Sequence, residues 1–173
     1  MSCISESLLN DTTHLKRVAS VVSGRGLFCV TDHTNRKLIL NSLHLNEILT
    51  HARDVSPSEC CGLIGGDKDG RTRSIYPLTN IATNTEVAYE AAPEQLFAAQ
   101  RQMRQRDEML LAIYHSHPRA SEPTPSETDV RLAYYPSATY LIVGLAGDVP
   151  VVRAFEISEH GNSWRQVEYD LSG

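Results

Sequence analysis

The sequence predicts an α/β fold, a single domain in which a mixed, mostly antiparallel sheet is flanked by helices. Three observations lead there. The 173 residues suit one ordinary domain with a core large enough to hold a fixed site. Helical patterns are interleaved with strand pairs along the chain, which calls for helices packed against a sheet. One strand, "LLAIYHSH", is apolar enough to be covered on both faces, as a central strand is.

Each element has its own local reason. "KLIL" from Lys37 is a short apolar strand, and Ser42 can cap a helix whose Leu45, Ile48, Leu49 and Ala52 share one face before Pro57 stops it. "ECCGLIGG" from Glu59 and "RTRSIYPL" from Arg71 flank "DKDG", where Asp69-Gly70 supplies the positive backbone angles of a tight hairpin. Pro93 at a first helical position opens a second amphipathic helix through Leu96, Phe97 and Met103, and "LLAIYHSH" returns as a strand. A third helix is expected from about Ser126 to Tyr134. "TYLIVGLA", "VPVVRAFEI" and "WRQVEYDL" finish as strands, the first two joined by a turn at Gly147-Asp148. Residues 1–36 are rich in Ser, Thr, Asn and Asp, lack sustained periodicity, and read as an extension preceding a domain over 37–173.

Composition narrows the partners. A formal charge of -5 and an isoelectric point near 5.8 argue against nucleic acid, whose binders carry a clustered basic face. Lys16 and Arg17 precede the apolar run Val18–Val22, but Ser23, Gly24 and Arg25 interrupt it well short of a signal-peptide core or a membrane span, so the expected location is the cytoplasm. Cys3, Cys29 and the adjacent pair Cys60 and Cys61 lack the spacing of a zinc knuckle and are expected to be reduced. The oligomeric state is open, a homodimer included.

The run "YHSHPRASEPTPSETD", Tyr114 to Asp129, carries the chemistry. Side chains two apart on a strand point the same way, so His115 and His117 present both imidazoles on one face while Ser116 points to the other. Asp129 falls in the first turn of the following helix, where a carboxylate can be held close to the strand end. Two neutral histidine nitrogens and one carboxylate leave the fourth position of a tetrahedral zinc site open, as hydrolytic sites require. Blander readings exist for each part. "SETD" resembles a capping box, an isolated His-x-His is more often a surface or core pair, and Cys60 and Cys61 are most simply small buried strand residues. For the cysteines the bland reading is preferred; for the run as a whole, one metal site explains more than several coincidences do.

"HSHPRASEPTPSETD" resembles the motif of the JAMM (MPN+) zinc metalloproteases, His-x-His-Pro, a seven-residue spacer, then Ser-x-x-Asp. Glu59 in "PSECCGLIGG" stands where small prokaryotic members have a Pro-x-Glu-x-Cys-Gly pattern. The likeness runs from about Lys37 to Ile157, including "Y-x-x-x-P" at Tyr89 to Pro93, and leaves residues 1–36 without a counterpart. The resemblance implies an MPN/JAMM fold, similar to that of cytidine deaminases. It implies zinc as cofactor, bound by His115, His117 and Asp129, with Glu59 as general base and Ser126 as hydroxyl donor to the oxyanion. The group includes deubiquitinating isopeptidases and archaeal relatives acting on ubiquitin-like modifiers. It also includes small bacterial enzymes that trim the tail of ubiquitin-fold sulfur-carrier proteins, which this chain resembles most. A non-catalytic MPN scaffold would lack the ligands or the glutamate, and a zinc deaminase would need a His/Cys/Cys site with its Glu two residues after the His.

Overall fold

The computed structural model describes residues 37–158 and 163–173; residues 1–36, expected to be an extension and including Cys3, Cys29, Lys16 and Arg17, lie outside them. In chain order the elements are β1 (Ile39–Asn41), α1 (Ser42–Val55), β2 (Cys61–Gly66), β3 (Thr72–Leu78), α2 (Pro93–Gln105), β4 (Met109–His117), α3 (Glu127–Arg131), β5 (Thr139–Gly144), β6 (Val151–Ile157), β7 (Trp164–Val167) and β8 (Asp170–Ser172). Six strands form one sheet in the order β3-β2-β4-β5-β6-β7. Within it β4 and β5 run parallel, and the other neighbouring pairs run antiparallel. The sheet is therefore mixed and mostly antiparallel, with "LLAIYHSH" in its interior.

Alternation along the strands divides the core between two faces. Leu63, Ile113, Tyr140 and Phe155 pack with Ala99 and Met103 of α2, whereas Ile64, Tyr114, Leu141 and Ala154 pack with Ile48 and Ala52 of α1. Gly62 makes one of these contacts close: a Cβ there would lie 2.4 Å from the Tyr114 ring, so only glycine lets that ring lie across β2. Burying Tyr114 this way leaves its hydroxyl in reach of His51 Nδ1, at 2.9 Å.

Local chemistry departs from expectation in a few places. The cap of α1 is Asn41, one residue before Ser42; its side chain accepts from the Leu43 amide, and both residue types make good caps. In the hairpin only Gly70 takes a positive φ, 84°. The turn is held instead by Asp67, whose Oδ1 accepts from the amides of Asp69 and Arg71. Phe97 faces outward, and α2 buries Ala99 and Met103. The third helix stops at Arg131, short of Tyr134, with Leu132 as its C-cap. "WRQVEYDL" is two strands: β7 pairs with β6, and β8 leaves to pair in parallel with β1 in a separate two-stranded sheet. Among the described residues no helix is long and apolar enough to cross a membrane.

Candidate metal centre

β4 delivers the two histidines to the edge of the buried sheet, with His115 fully buried and His117 partly so. The chain then folds back. Ala120 N donates to His117 O at 3.0 Å and Ala146 N donates to Ala120 O at 3.2 Å, which pins the proline-rich loop to the end of β5. Arg153 of β6 pairs with Glu122 of the same loop. The loop ends at Ser126, the N-cap of α3, in a reciprocal capping box. Asp129 N donates to Ser126 Oγ at 3.1 Å, while Asp129 Oδ2 accepts from Ser126 N at 2.7 Å and from Ser126 Oγ at 2.7 Å.

That box aims the Asp129 carboxylate at the histidines. His115 Nε2 and His117 Nε2 are 3.1 Å apart, and Asp129 Oδ2 lies 3.4 Å from the first and 3.3 Å from the second. Adjacent ligand atoms of a tetrahedral zinc site, about 2.0–2.1 Å from the ion, stand about 3.3–3.4 Å apart. The donor set and its spacing fit zinc, and the three residues form a candidate metal-binding group. The capping-box reading of "SETD" holds, and the same box places the Asp129 carboxylate beside the two histidines.

Glu59 reaches the site from the residue pair preceding β2. Antiparallel register sets Cys61 opposite His115, so continuing the count brings Glu59 opposite His117; its Oε1 lies 4.0 Å from His117 Nε2. Its main chain is tied on both sides: Glu59 N donates to Thr85 O at 2.6 Å, and Asn80 Nδ2 donates to Glu59 O at 3.0 Å. Tyr89 stacks on His115, ring centroids 4.6 Å apart and planes inclined by 26°. Tyr89, Asn80 and Ser116 are site neighbours to which the sequence assigned no role, although Tyr89 stands in the "Y-x-x-x-P" stretch. A cavity of about 440 Å³ opens beside Glu59, bordered by His51, Ser58, Pro77, Asn80, Thr85 and Gln95 among others.

Burial and charge set the protonation states. Burial pushes the Glu59 carboxyl up to about 7, helped by the Asp129 charge and opposed by His117. Burial acts on Asp129 in the same direction, but the charge of His115 and hydrogen bonds from His115, His117 and Ser126 outweigh it and hold that carboxyl far below the usual range. His115 is held below its ordinary value by burial, while Asp129 raises His117 despite burial. The free thiols of Cys60 and Cys61 are driven up by burial to about 11 and about 12. Burial thus favours the protonated thiol at both positions.

All five residues singled out in the sequence thus meet: His115, His117, Asp129, Ser126 and Glu59. The family described as prokaryotic homologs of the JAB domain matches residues 42–158. Among curated relatives, a desampylase from Haloferax volcanii is 37% identical over 114 residues, 63% of this chain and 81% of the relative. A CysO-cysteine peptidase from Mycobacterium tuberculosis is 36% identical over 107 residues, 61% of this chain and 72% of the relative. A probable TtuB-protein conjugate cleaving protease from Thermus thermophilus is 34% identical over 115 residues, 66% and 72% respectively. The solution structure of a Desulfitobacterium hafniense protein matches with a TM-score of 0.69 at 34% identity, covering 78% of this chain and 92% of that one. A JAB1/MPN domain protein from Archaeoglobus fulgidus shares the fold at 19% identity, with a TM-score of 0.53 and coverage of 80% and 100%.

Proposed function

The chain belongs to the family of prokaryotic homologs of the JAB domain, and on that premise we propose that it is a JAMM-type zinc metallopeptidase. Its substrate is a small ubiquitin-fold sulfur-carrier protein, cut immediately after the C-terminal Gly-Gly. The observation that carries the reading is the triangle of two Nε2 atoms and one carboxylate oxygen with edges of 3.1–3.4 Å, faced by a second carboxylate, that of Glu59, 4.0 Å from His117 Nε2. His115, His117 and Asp129 would hold the ion. Zinc bound there supplies a positive charge that acidifies water and polarises a carbonyl.

The remaining work falls to side chains. Glu59 takes the proton of the attacking water and passes it to the amine as the carbon–nitrogen bond breaks; a carboxyl near 7 exchanges protons readily at neutral pH. Ser126 donates its hydroxyl to the developing oxyanion, for which its proton must turn away from Asp129 Oδ2. Glycines suit a narrow approach to a recessed centre because they carry no side chain. Relatives named for a CysO-cysteine bond and for a TtuB-protein conjugate support a tail-processing reading. The second name also favours the alternative, an isopeptidase that removes such modifiers from lysines. The reading takes residues 37–173 as the catalytic domain, residues 1–36 as an extension, and the cytoplasm as the location. It takes a protein as partner, with nucleic acid and membrane excluded on the net charge of -5 and the interrupted apolar run.

The test is incubation of purified enzyme with a sulfur-carrier protein extended by a short peptide beyond its Gly-Gly, and in parallel with a lysine-linked conjugate, followed by intact mass measurement. Cleavage of the extended carrier after Gly-Gly is expected. Release from the conjugate alone replaces the peptidase with the isopeptidase, and cleavage of neither returns the chain to the scaffold reading.

A further inference from the structure

Ser116 lies between the two histidines in sequence but on the opposite face of β4, fully buried and out of reach of any substrate at the centre. Its partner is Cys60, directly across the continued β2–β4 register. Ser116 N donates to Cys60 O at 3.2 Å, as a ladder amide does. The return bond is different: Cys60 N donates to the side-chain Oγ of Ser116, at 2.8 Å. A side chain thus completes the last rung beyond the end of β2, which begins only at Cys61.

The residue attached to that rung is Glu59. Its amide is held by Thr85 O and its carbonyl by Asn80, both from the segment between β3 and α2. The Cys60 rung is the tie between Glu59 and the strand that carries His115 and His117. We propose that Ser116 is a positioning residue for Glu59, its hydroxyl holding the Cys60 amide so that the carboxylate stays opposite His117. This rests on the base role proposed above for Glu59. Without the hydroxyl the Cys60 amide is a buried donor with no acceptor, which the chain relieves by shifting Glu59 away from β4. A shift of about 1 Å at a catalytic group can cost about 100-fold in rate.

The test uses zinc-loaded full-length enzyme and the carrier extended beyond its Gly-Gly. Ser116→Ala is expected to retain one zinc per chain and a KM within about twofold of wild type while kcat falls about 10- to 100-fold. Ser116→Thr, which keeps the hydroxyl, restores most of kcat, and Ser116→Cys, with a weak acceptor, falls between. The deciding measurement is a double-mutant cycle: in a Glu59→Gln background Ser116→Ala changes kcat less than about twofold, because the group it positions is gone. Equal losses in both backgrounds, loss of zinc, or unchanged kcat in Ser116→Ala each overturn the proposal. If Ser116→Ala does not fold, Ser116→Cys is carried through the same cycle and read by the same criteria. Failure of the base reading has a separate signature, since Glu59→Gln alone would then turn over at near the wild-type rate.

Discussion

Glu59→Gln should make the metal-free protein more stable, and the gain should depend on pH. Glu59 is 5% exposed, and its carboxyl is raised from the ordinary 4.5 to about 7 chiefly by burial. Below pH 4.5 the side chain is protonated in both folded and unfolded chains and has no effect on their balance. As pH rises, the unfolded chain releases this proton first, binds fewer protons than the native state, and stability falls. The loss is complete above about 7, and at about 1.4 kcal/mol per pH unit it amounts to about 3 kcal/mol. Glutamine has the same shape and no charge to desolvate. Urea unfolding of both proteins with a strong chelator should therefore give near-equal stability at pH 4.5 and a variant about 3 kcal/mol more stable at pH 8, or about 6–12 °C in Tm. The reasoning is refuted if wild type is the more stable at pH 8, or if the gap is the same at both pH values, which would trace it to packing.

Asp129→Ala should lose zinc on purification while most of the fold survives, at a cost of about 0.5–2 kcal/mol for the broken capping box; metal analysis and thermal unfolding read the two effects separately. Gly144→Ala should weaken zinc binding at least about 10-fold in chelator competition and destabilise the fold by about 1–3 kcal/mol. Its Cβ would sit 2.5 Å from Ala120 O and 2.9 Å from Pro123 Cδ, in the loop that leads to Ser126. His51 is held below its ordinary pKa by burial, against the pull of Asp54 and Glu47. Its proton is therefore taken up more readily by the unfolded chain, so stability is lost as pH falls through about 6.5, and His51→Gln should flatten the change in urea midpoint between pH 7 and 5.

How much was legible in the sequence depended on how local the cause was. His115 and His117 were readable because strand alternation is a property of three consecutive residues, and Ser126 with Asp129 because a capping box closes within one helical turn. Glu59 was found only through a family pattern. Its approach to His117 is a matter of β2–β4 register across more than fifty residues, which no local periodicity encodes. The split of "WRQVEYDL" was hidden for the same reason: β8 turns away to pair with β1, at the other end of the described chain. Tyr89 gave no signal of its contact, since stacking on His115 needs the segment between β3 and α2 to be folded over the sheet. The misplaced cap and the early end of α3 are smaller matters, because Asn41 and Ser42 compete on near-equal terms and short helices depend on tertiary contacts for their length.

The location of the site follows from the topology. β4 has an antiparallel neighbour on one side and a parallel one on the other. An antiparallel pair can be closed by a short turn, but a parallel pair needs a crossover, and the one from β4 to β5 carries the proline-rich loop and α3. A crevice opens outside the carboxyl end of a strand where the chain departs to one side while its other neighbour arrives from elsewhere. At β4 the departing chain brings Asp129 on a helical first turn, and the arriving chain brings Glu59 ahead of β2. Two carboxylates, Asp129 and Glu59, thus come to the same pair of histidines from opposite sides of one strand end. This lets the charge of His115 and hydrogen bonds hold the Asp129 carboxyl far below the usual range while burial pushes the Glu59 carboxyl up to about 7. The contrast in environment between Asp129 and Glu59 is therefore a consequence of where β4 sits in the sheet.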